Sequence, residues 1–376
     1  MSNKKVLLVC SVAYSLINFR KDFIEELLRN QFDVWCAAPD FQDNISEELH
    51  GMGAHTIAFH LQRKGLNPIK DLKTIGELKK VIKELDIDLV FAYTIKPVIY
   101  GSLAARQCKV PMFSLITGLG FTFSGVSIKA KLLGNISRLL YKFALGKNNT
   151  PIFQNIDDKS LFLEKGILSL KKASYVVNGS GINLDRFRFD TSKPHSNKTD
   201  VNFIIIGRLM VEKGIELYLK AAAQVRATNK NAKFHIVGNP PDEMMELMDR
   251  LKVLHENETI VYHGRQSDVK PFLYGSDVFV LPTYYREGVP RSILEALSVG
   301  MPIITTNTPG CKETVIKEKN GFLIPPKQFE PLLEAVRFFV EHPEKIASMG
   351  EASRKLAEEK FDVRLINADL LNIINK

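Results

Sequence analysis

Two short stretches carry side chains whose types and spacing suit one kind of chemistry. In the first, Phe203-Ile204-Ile205-Ile206 has the pattern of a buried strand and runs into Gly207-Arg208, with Glu212-Lys213-Gly214 close behind. Gly207 has no side chain to hold a ligand off the backbone. Arg208 offers a planar fork of donors for phosphate oxygens, and Lys213 a mobile point charge. A helix expected from about Ile215 would add the positive end of its dipole. Taken alone, these cations fit solvated loop charges at least as well. The second stretch, Glu287-Gly288-Val289-Pro290-Arg291-Ser292-Ile293-Leu294-Glu295, sets two carboxylates seven residues apart. Ser292 is expected as a helix N-cap, which leaves Glu287 in the loop and puts Glu295 about one turn inside the helix. The amides of Val289–Ser292 would then form an anion site beside both acids. Carboxylates accept strong hydrogen bonds from sugar hydroxyls. Either glutamate alone is equally well a helix-dipole residue or a solvated loop acid. The whole arrangement describes a diphosphate flanked by hydroxyls, as in a nucleotide sugar.

Elements that would position these residues alternate along the chain. Strands are expected at Lys5–Cys10, Asp33–Ala37, Leu89–Tyr93, Met112–Ile116 and Ser174–Val177, and helices at Phe19–Arg29, Leu72–Leu85 and Pro97–Gln107. A second alternation begins at strand Val201–Ile206. It continues through helix Ile215–Thr228, strand Lys233–Val237, helix Asp242–Leu254, strands Thr259–Tyr262 and Val278–Leu281, helix Ser292–Val299, strand Pro302–Thr306 and helix Phe329–Glu341. Continuous apolar strands between helices predict parallel sheets covered on both faces. The expected fold class is α/β, with two doubly wound Rossmann-like domains facing across a cleft. The expected boundaries are 1–178, a linker at 179–200 with Gly179-Ser180-Gly181 as a hinge, and 201–355. A helical segment within Met349–Ile374, its last part at 356–376, would return to the first domain. Open α/β sheets bind ligands at the carboxyl ends of their strands, so this architecture favours an enzyme with one substrate per half.

Composition narrows the partners. The chain has 376 residues, 45% hydrophobic and 25% charged, which excludes disordered and fibrous classes. No apolar run reaches the roughly 18 residues of a membrane span. Its 51 Lys+Arg against 42 Asp+Glu give a net charge of +9, suited to a phosphate-bearing ligand or an anionic membrane. The basic residues are dispersed, without the clusters of a nucleic-acid binder. Four scattered cysteines argue against a disulfide framework or a cysteine-based zinc site and for a reducing cytoplasm. The eight histidines show no ligand spacing. Asp86-Ile87-Asp88 spells a metal-binding D-x-D but precedes a strand, so it reads as a turn.

The E-x7-E element, together with Gly207-Arg208…Glu212-Lys213-Gly214 and Gly300-Met301-Pro302-Ile303…Gly310, resembles the retaining glycosyltransferases of family 4, which have the GT-B fold. The resemblance implies that Arg208 and Lys213 hold the donor diphosphate, that Glu295 holds the ribose hydroxyls, and that Glu287 contacts the donor sugar. Gly264 and Arg265, after His263, would border the base. Gly207, Gly288, Val289, Pro290, Arg291 and Ser292 complete the implied donor site, with Arg208, Lys213 and Glu287 catalytic. No cofactor and no metal is expected; the donor is expected to be UDP-linked.

In the first half, Asn18-Phe19-Arg20, Tyr93-Thr94-Ile95-Lys96-Pro97…Tyr100-Gly101 and Ile116-Thr117-Gly118-Leu119-Gly120 resemble bacterial transferases that extend lipid-diphosphate-linked glycans. These include capsule and O-antigen enzymes and α-1,3-N-acetylgalactosaminyltransferases. Arg20, Lys96, Thr117 and Gly118 are the implied acceptor residues; salt-bridged surface charge is the equal alternative for Arg20 and Lys96. Ser11–Ser15 stands where many members carry Gly-Gly, and Thr117 where many carry histidine. The resemblance implies transfer of a hexose or N-acetylhexosamine from a UDP-sugar to an undecaprenyl-diphosphate-linked saccharide, with retention, for surface polysaccharide or glycoprotein glycan assembly. The alternatives are a nucleotide-sugar epimerase or phosphorylase, or a non-catalytic peripheral membrane protein. Ile128, Leu132, Ile136, Leu139 and Phe143 form a helical stripe among Lys129, Lys131, Arg138, Lys142 and Lys147. The stripe suits either an anionic inner leaflet or an ordinary core face. The expected location is cytoplasmic, peripheral on the inner face of the membrane, with no nucleic-acid partner.

Overall fold

The computed structural model describes residues 3–63, 65, 67–120, 128–190 and 200–376, the side chains of 128–133 excepted. The chain forms two compact units, residues 1–180 with 363–376, and residues 181–362.

The first unit runs β1 (Lys5–Val9), α1 (Tyr14–Arg29), β2 (Asp33–Ala38), α2 (Asp43–Gly51), β3 (His55–Ala58), α3 (Pro68–Glu84), β4 (Leu89–Tyr93), α4 (Ile95–Cys108), β5 (Met112–Ile116), α5 (Ile128–Ala144), β6 (Asn149–Phe153), α6 (Ile156–Glu164) and β7 (Tyr175–Val176). Its strands pair in parallel in the order β3-β2-β1-β4-β5-β6-β7. Val6-Leu7-Leu8-Val9 and Leu89–Tyr93 are buried on both faces. That is why they read as unbroken apolar runs. One face packs on α1 through Phe23, Ile24 and Leu27, and the other on α3 and α4 through Leu78, Ile82, Val98 and Ala105. Asp88 caps the entry to β4 by accepting the Lys5 N–H at 2.7 Å, which makes the D-x-D a turn and strand entry.

The second unit runs β8 (Val201–Ile206), α7 (Ile215–Thr228), β9 (Ala232–Val237), α8 (Met245–Glu256), β10 (Val261–Tyr262), α9 (Lys270–Tyr274), β11 (Val278–Leu281), α10 (Arg291–Ser298), β12 (Ile303–Thr306), β13 (Gly321–Ile324), α11 (Glu330–Glu341) and α12 (Lys345–Leu356). Its parallel sheet has the order β10-β9-β8-β11-β12-β13.

Three expectations change. The segment after Gly181 is not linker: Ile182, Leu184 and Phe187 are buried in the second core. The Met349–Ile374 helix is interrupted. After α12 the chain makes one wide helical turn, Ala357–Phe361, and Asp362 is extended. Phe361 is fully buried, its carbonyl accepts the Ile182 N–H at 2.8 Å, and Asp362 bridges to Ile182. That pairing draws Asp362 out of the helix. The last helix, α13 (Val363–Ile374), then joins the first unit by burying Ile366, Leu370 and Ile374 with Phe23 and Leu27. Ser292, finally, is not an N-cap: α10 begins at Arg291 with Pro290 before it and no side-chain cap. Among the described residues no helix is long and apolar enough to cross a membrane, and no group of three or more His, Cys, Asp or Glu side chains is placed to hold a metal.

Candidate active site

The carboxyl ends of β8, β9, β10 and β11 gather the residues of the second unit that could hold a nucleotide. After β8 the backbone turns at Gly207, φ 149°, and Arg208 stands exposed with no ion pair to a described residue. A helical turn at Val211–Lys213 and the left-handed Gly214 then lead into α7. A Cβ on Gly207 would meet nothing within 4 Å, so this backbone faces open space. Gly238, φ 132° and just beyond β9, is the reverse case. A Cβ there would strike the Gly207 carbonyl. The Gly238 N–H donates to the Gly264 carbonyl at 2.8 Å. Three loops thus meet through backbone alone, and glycine is required where they touch.

The loop after β11 is tied to the same edge. The Glu212 carbonyl accepts hydrogen bonds from Thr283 Oγ1 at 3.0 Å, Tyr284 N at 2.8 Å and Tyr285 N at 3.1 Å. Thr283 is fully buried. Its role was invisible in the sequence, because nothing local marks a threonine that reaches another loop's carbonyl. The tie brings Lys213 and Glu287 together as an ion pair, with side chains 18% and 15% exposed. Cys311 lies close enough that burial and the Glu287 charge push its thiol up to about 12. An anion at Lys213 would compete with Glu287 for the ammonium.

Glu295 sits one turn into α10, buried, with Oε1 3.1 Å from Arg291 Nε. Burial raises its pKa and the Arg291 charge opposes the rise. Val289 and Pro290 are buried beneath the start of α10, whose first N–H groups have no acceptor within the helix. Gly288 supports the same loop from below, its carbonyl against Gly310. Ser292 is the second residue of that first turn, and Arg265 is exposed after Gly264. The structure thus brings Lys213 to Glu287 and Arg291 to Glu295, and leaves Arg208 and Arg265 in solvent.

In the first unit the expected residues part company. Thr117 and Gly118 follow β5 and are partly exposed. Lys96 is not a free cation: its ammonium donates to the Gln62 carbonyl at 2.7 Å and pairs with Asp71 at 3.2 Å. Burial raises the Tyr100 phenol's pKa, and the Asp71 carboxylate, which accepts from its hydroxyl, adds to the rise. Lys96 therefore fastens the start of α3 to α4. Arg20 is 2% exposed, its guanidinium 5.1 Å from the Tyr93 ring centroid. Both are embedded charges, neither solvent-facing nor ordinary surface pairs. Thr94, in the sequence only one member of a motif, has a role of its own. At φ 70°, ψ 157° it occupies a region that β-branched residues avoid, and its Oγ1 donates to Ser11 Oγ at 3.1 Å. Thr94 and Ser11 follow β4 and β1 side by side at the carboxyl edge.

This geometry agrees with what the chain is similar to. The family described as glycosyl transferases group 1 matches residues 187–356, and that described as glycosyl transferase 4-like matches residues 5–155. The chain is 28% identical over 341 residues to the Campylobacter jejuni N,N'-diacetylbacillosaminyl-diphospho-undecaprenol alpha-1,3-N-acetylgalactosaminyltransferase, covering 87% of each. It is 30% identical over 334 residues to the Escherichia coli UDP-Gal:alpha-D-GlcNAc-diphosphoundecaprenol alpha-1,3-galactosyltransferase, covering 83% of this chain and 81% of that one. Among solved structures, Anabaena HepE in complex with UDP superposes with a TM-score of 0.78 at 17% identity over 99% of each chain. Sucrose-phosphate synthase from Thermosynechococcus elongatus gives 0.81 at 16% over 99% and 98%. The fold is GT-B, with two Rossmann-like domains. The chain belongs to the family 4 glycosyltransferases. It is a glycosyltransferase, which sets aside the epimerase, phosphorylase and non-catalytic readings.

The glycine contacts generate a prediction. Gly238→Ala should destabilise the second unit by about 3 kcal/mol or more, since neither carbonyl nor Cβ can yield, whereas Gly207→Ala should cost only the strain of its φ, about 1–2 kcal/mol. Urea unfolding of the two variants checks the order, and equal losses would contradict the packing.

Proposed function

We propose that this glycosyltransferase moves a hexose or N-acetylhexosamine from a UDP-sugar to a saccharide carried on a polyprenyl diphosphate, with retention at the anomeric carbon. The observation that carries the reading is the cation pair after β8: Arg208, exposed and without an ion pair to a described residue, and Lys213, held at the glycine-lined edge by Glu287. Breaking the anomeric bond leaves negative charge on the departing diphosphate. Pre-arranged cations and amides stabilise that charge without having to reorganise. In this reading Arg208, Lys213 and the backbone N–H groups of Val289, Arg291 and Ser292 around the start of α10 receive the diphosphate. Glu295 takes the ribose hydroxyls. Glu287, released from Lys213 as phosphate arrives, turns to the donor sugar. Gly264 and Arg265 border the base.

The names of the relatives support a UDP-linked donor and a diphosphoundecaprenol acceptor. In the first unit, Ser11, strained Thr94, Thr117 and Gly118 form the polar edge offered to the acceptor, with Lys96 and Arg20 holding it from within.

A lipid-linked acceptor implies a membrane surface, and α5 supplies one. Tyr141, Ala144 and Leu145 face the core, while Leu139 and Phe143 are 69% and 65% exposed. Of the expected stripe residues, Leu139 and Phe143 thus face solvent and Ile136 is half-buried; Ile128, Lys129, Lys131 and Leu132 lie outside the described side chains. Leu170, 87% exposed, stands in a loop fastened to the same helix end: Lys172 donates to the Gly146 carbonyl at 2.5 Å, and Arg138 to that of Lys165 at 3.2 Å. Residues 128–147 contain no acidic side chain. Apolar tips among cations suit the anionic inner leaflet of a cytoplasmic face.

Two measurements test these proposals. Labelled UDP-sugar should yield lipid-bound product only with a polyprenyl-diphosphate-linked acceptor present, and Arg208→Ala should lower turnover about a hundredfold or more with the unfolding midpoint unchanged. Near-normal turnover removes Arg208 from the mechanism. In sedimentation with phosphatidylglycerol vesicles, the variant Leu139→Ser/Phe143→Ser/Leu170→Ser should bind about tenfold more weakly than the unaltered chain; equal binding contradicts the membrane face.

A further inference from the structure

One hydrogen-bonded chain of side chains in the second unit belongs to none of the roles assigned above. It crosses the sheet from β11 to the end of β10. Asp277, just before β11, accepts at Oδ2 from Asn202 N at 2.8 Å and from Asn202 Nδ2 at 2.9 Å. Asn202 Oδ1 lies 3.3 Å from His235 Nε2, and His235 Nδ1 lies 3.0 Å from His263 Nε2. The two imidazoles are nearly parallel, 5° apart with centroids at 5.3 Å, and Phe272 covers the His263 ring at 4.7 Å.

Donor and acceptor logic fixes the direction of this chain. Asp277 as a carboxylate only accepts, so Asn202 turns its amide nitrogen toward it and its oxygen toward His235. His235 must then donate from Nε2. A neutral imidazole that donates from one nitrogen accepts at the other, so Nδ1 accepts from His263 Nε2–H. Its surroundings keep His235 neutral near pH 7, which leaves Nδ1 as the acceptor; a doubly protonated ring would instead donate to His263 Nε2. Burial, the neighbouring His263 and Lys233 hold its pKa down at about 4, against the opposing pull of Asp277. Burial and His255 likewise lower that of His263.

His263 is the residue from which the chain leaves β10. Its N–H donates to the Ile236 carbonyl at 2.9 Å and its carbonyl accepts from Gln266 Nε2 at 2.6 Å. The next residue, Gly264, receives the Gly238 N–H, and Gly238 rests on Gly207. The ring-to-ring bond therefore sets where the Gly264 backbone stands relative to the β8 and β9 loops. We infer that His235 and His263 are positioning residues for the nucleoside end of the donor site, fixing the loop that borders the base and so setting donor affinity. The inference rests on the reading of Gly264 and Arg265 as that border. The histidines touch no reacting atom. A loop held 1 Å out of place weakens the base contact while leaving the diphosphate contacts of Arg208 and Lys213 intact.

Steady-state kinetics with separate variation of donor and acceptor test this. His263→Phe, which keeps the ring on Phe272 but removes the N–H, should raise the donor KM about tenfold with kcat and acceptor KM within about twofold. His235→Phe, which also loses the bond to Asn202, should raise it at least as much, and the double variant should be no worse than His235→Phe, because the ring-to-ring bond is already absent from each single variant. His235→Asn, which can keep an acceptor where Nδ1 stands, should restore most of the donor KM. If His235→Phe does not fold, His263→Phe and the asparagine rescue still decide the matter. An unchanged donor KM in His263→Phe, or donor and acceptor KM rising together with a falling unfolding midpoint, would overturn the inference. Calorimetric binding of UDP separates the two levels. No binding by the unaltered chain overturns the donor site itself, while equal binding by the chain and its histidine variants overturns only the positioning role.

Discussion

The ion pair between Lys213 and Glu287 joins the loops after β8 and β11, and the candidate site depends on it. A lysine left alone in solvent samples many rotamers and presents no fixed charge to a ligand. Here it is held, because Glu212 next to it gives its carbonyl to Thr283, Tyr284 and Tyr285, so the β8 and β11 loops cannot drift apart. The pair is only partly exposed, so its mutual attraction is screened less than at an open surface. In the function proposed here, phosphate takes the place of the Glu287 carboxylate at the Lys213 ammonium and the carboxylate turns to the sugar. Arg208, exposed and without an ion pair to a described residue, would add a second positive charge.

Much of this was legible in sequence because parallel strands buried on both faces leave unbroken apolar runs. Val6–Val9, Leu89–Tyr93, Phe203–Ile206 and Val278–Leu281 were readable for that reason. The strands that escaped notice lack the signal. His55–Ala58 is an edge strand with no buried residue, Asn149–Phe153 contains a proline, and Gly321–Ile324 opens with glycine. Cap chemistry misled at Ser292, because Pro290 already fixes the turn and helix α10 can begin one residue earlier. The break after α12 was invisible because its cause, the pairing of Asp362 with Ile182, joins residues far apart in sequence.

The site was legible in its residue types and less so in their states. Glycines, cations and glutamates stood out by spacing, but spacing does not say that Lys96 is already satisfied by Asp71 and the Gln62 carbonyl, or that Arg20 is buried over Tyr93. Both look like ligand-facing cations in sequence and act as internal fastenings in the fold. Thr94 is the opposite case: an unremarkable residue by type, it is marked only by a backbone conformation that no sequence pattern announces. The α5 stripe shows the same limit. Periodicity gave a face, and only burial shows that Tyr141 turns inward while Leu139 and Phe143 turn out.

Recognition of a diphosphate by Arg208 and Lys213 in the second unit is the proposal on which the others rest. Isothermal titration of the unaltered protein with UDP and with UMP tests it, since the two ligands share base and ribose and differ by one phosphate. UDP should bind at least about tenfold more tightly, a gain of about 1.4 kcal/mol. Equal affinity for the two nucleotides would contradict it.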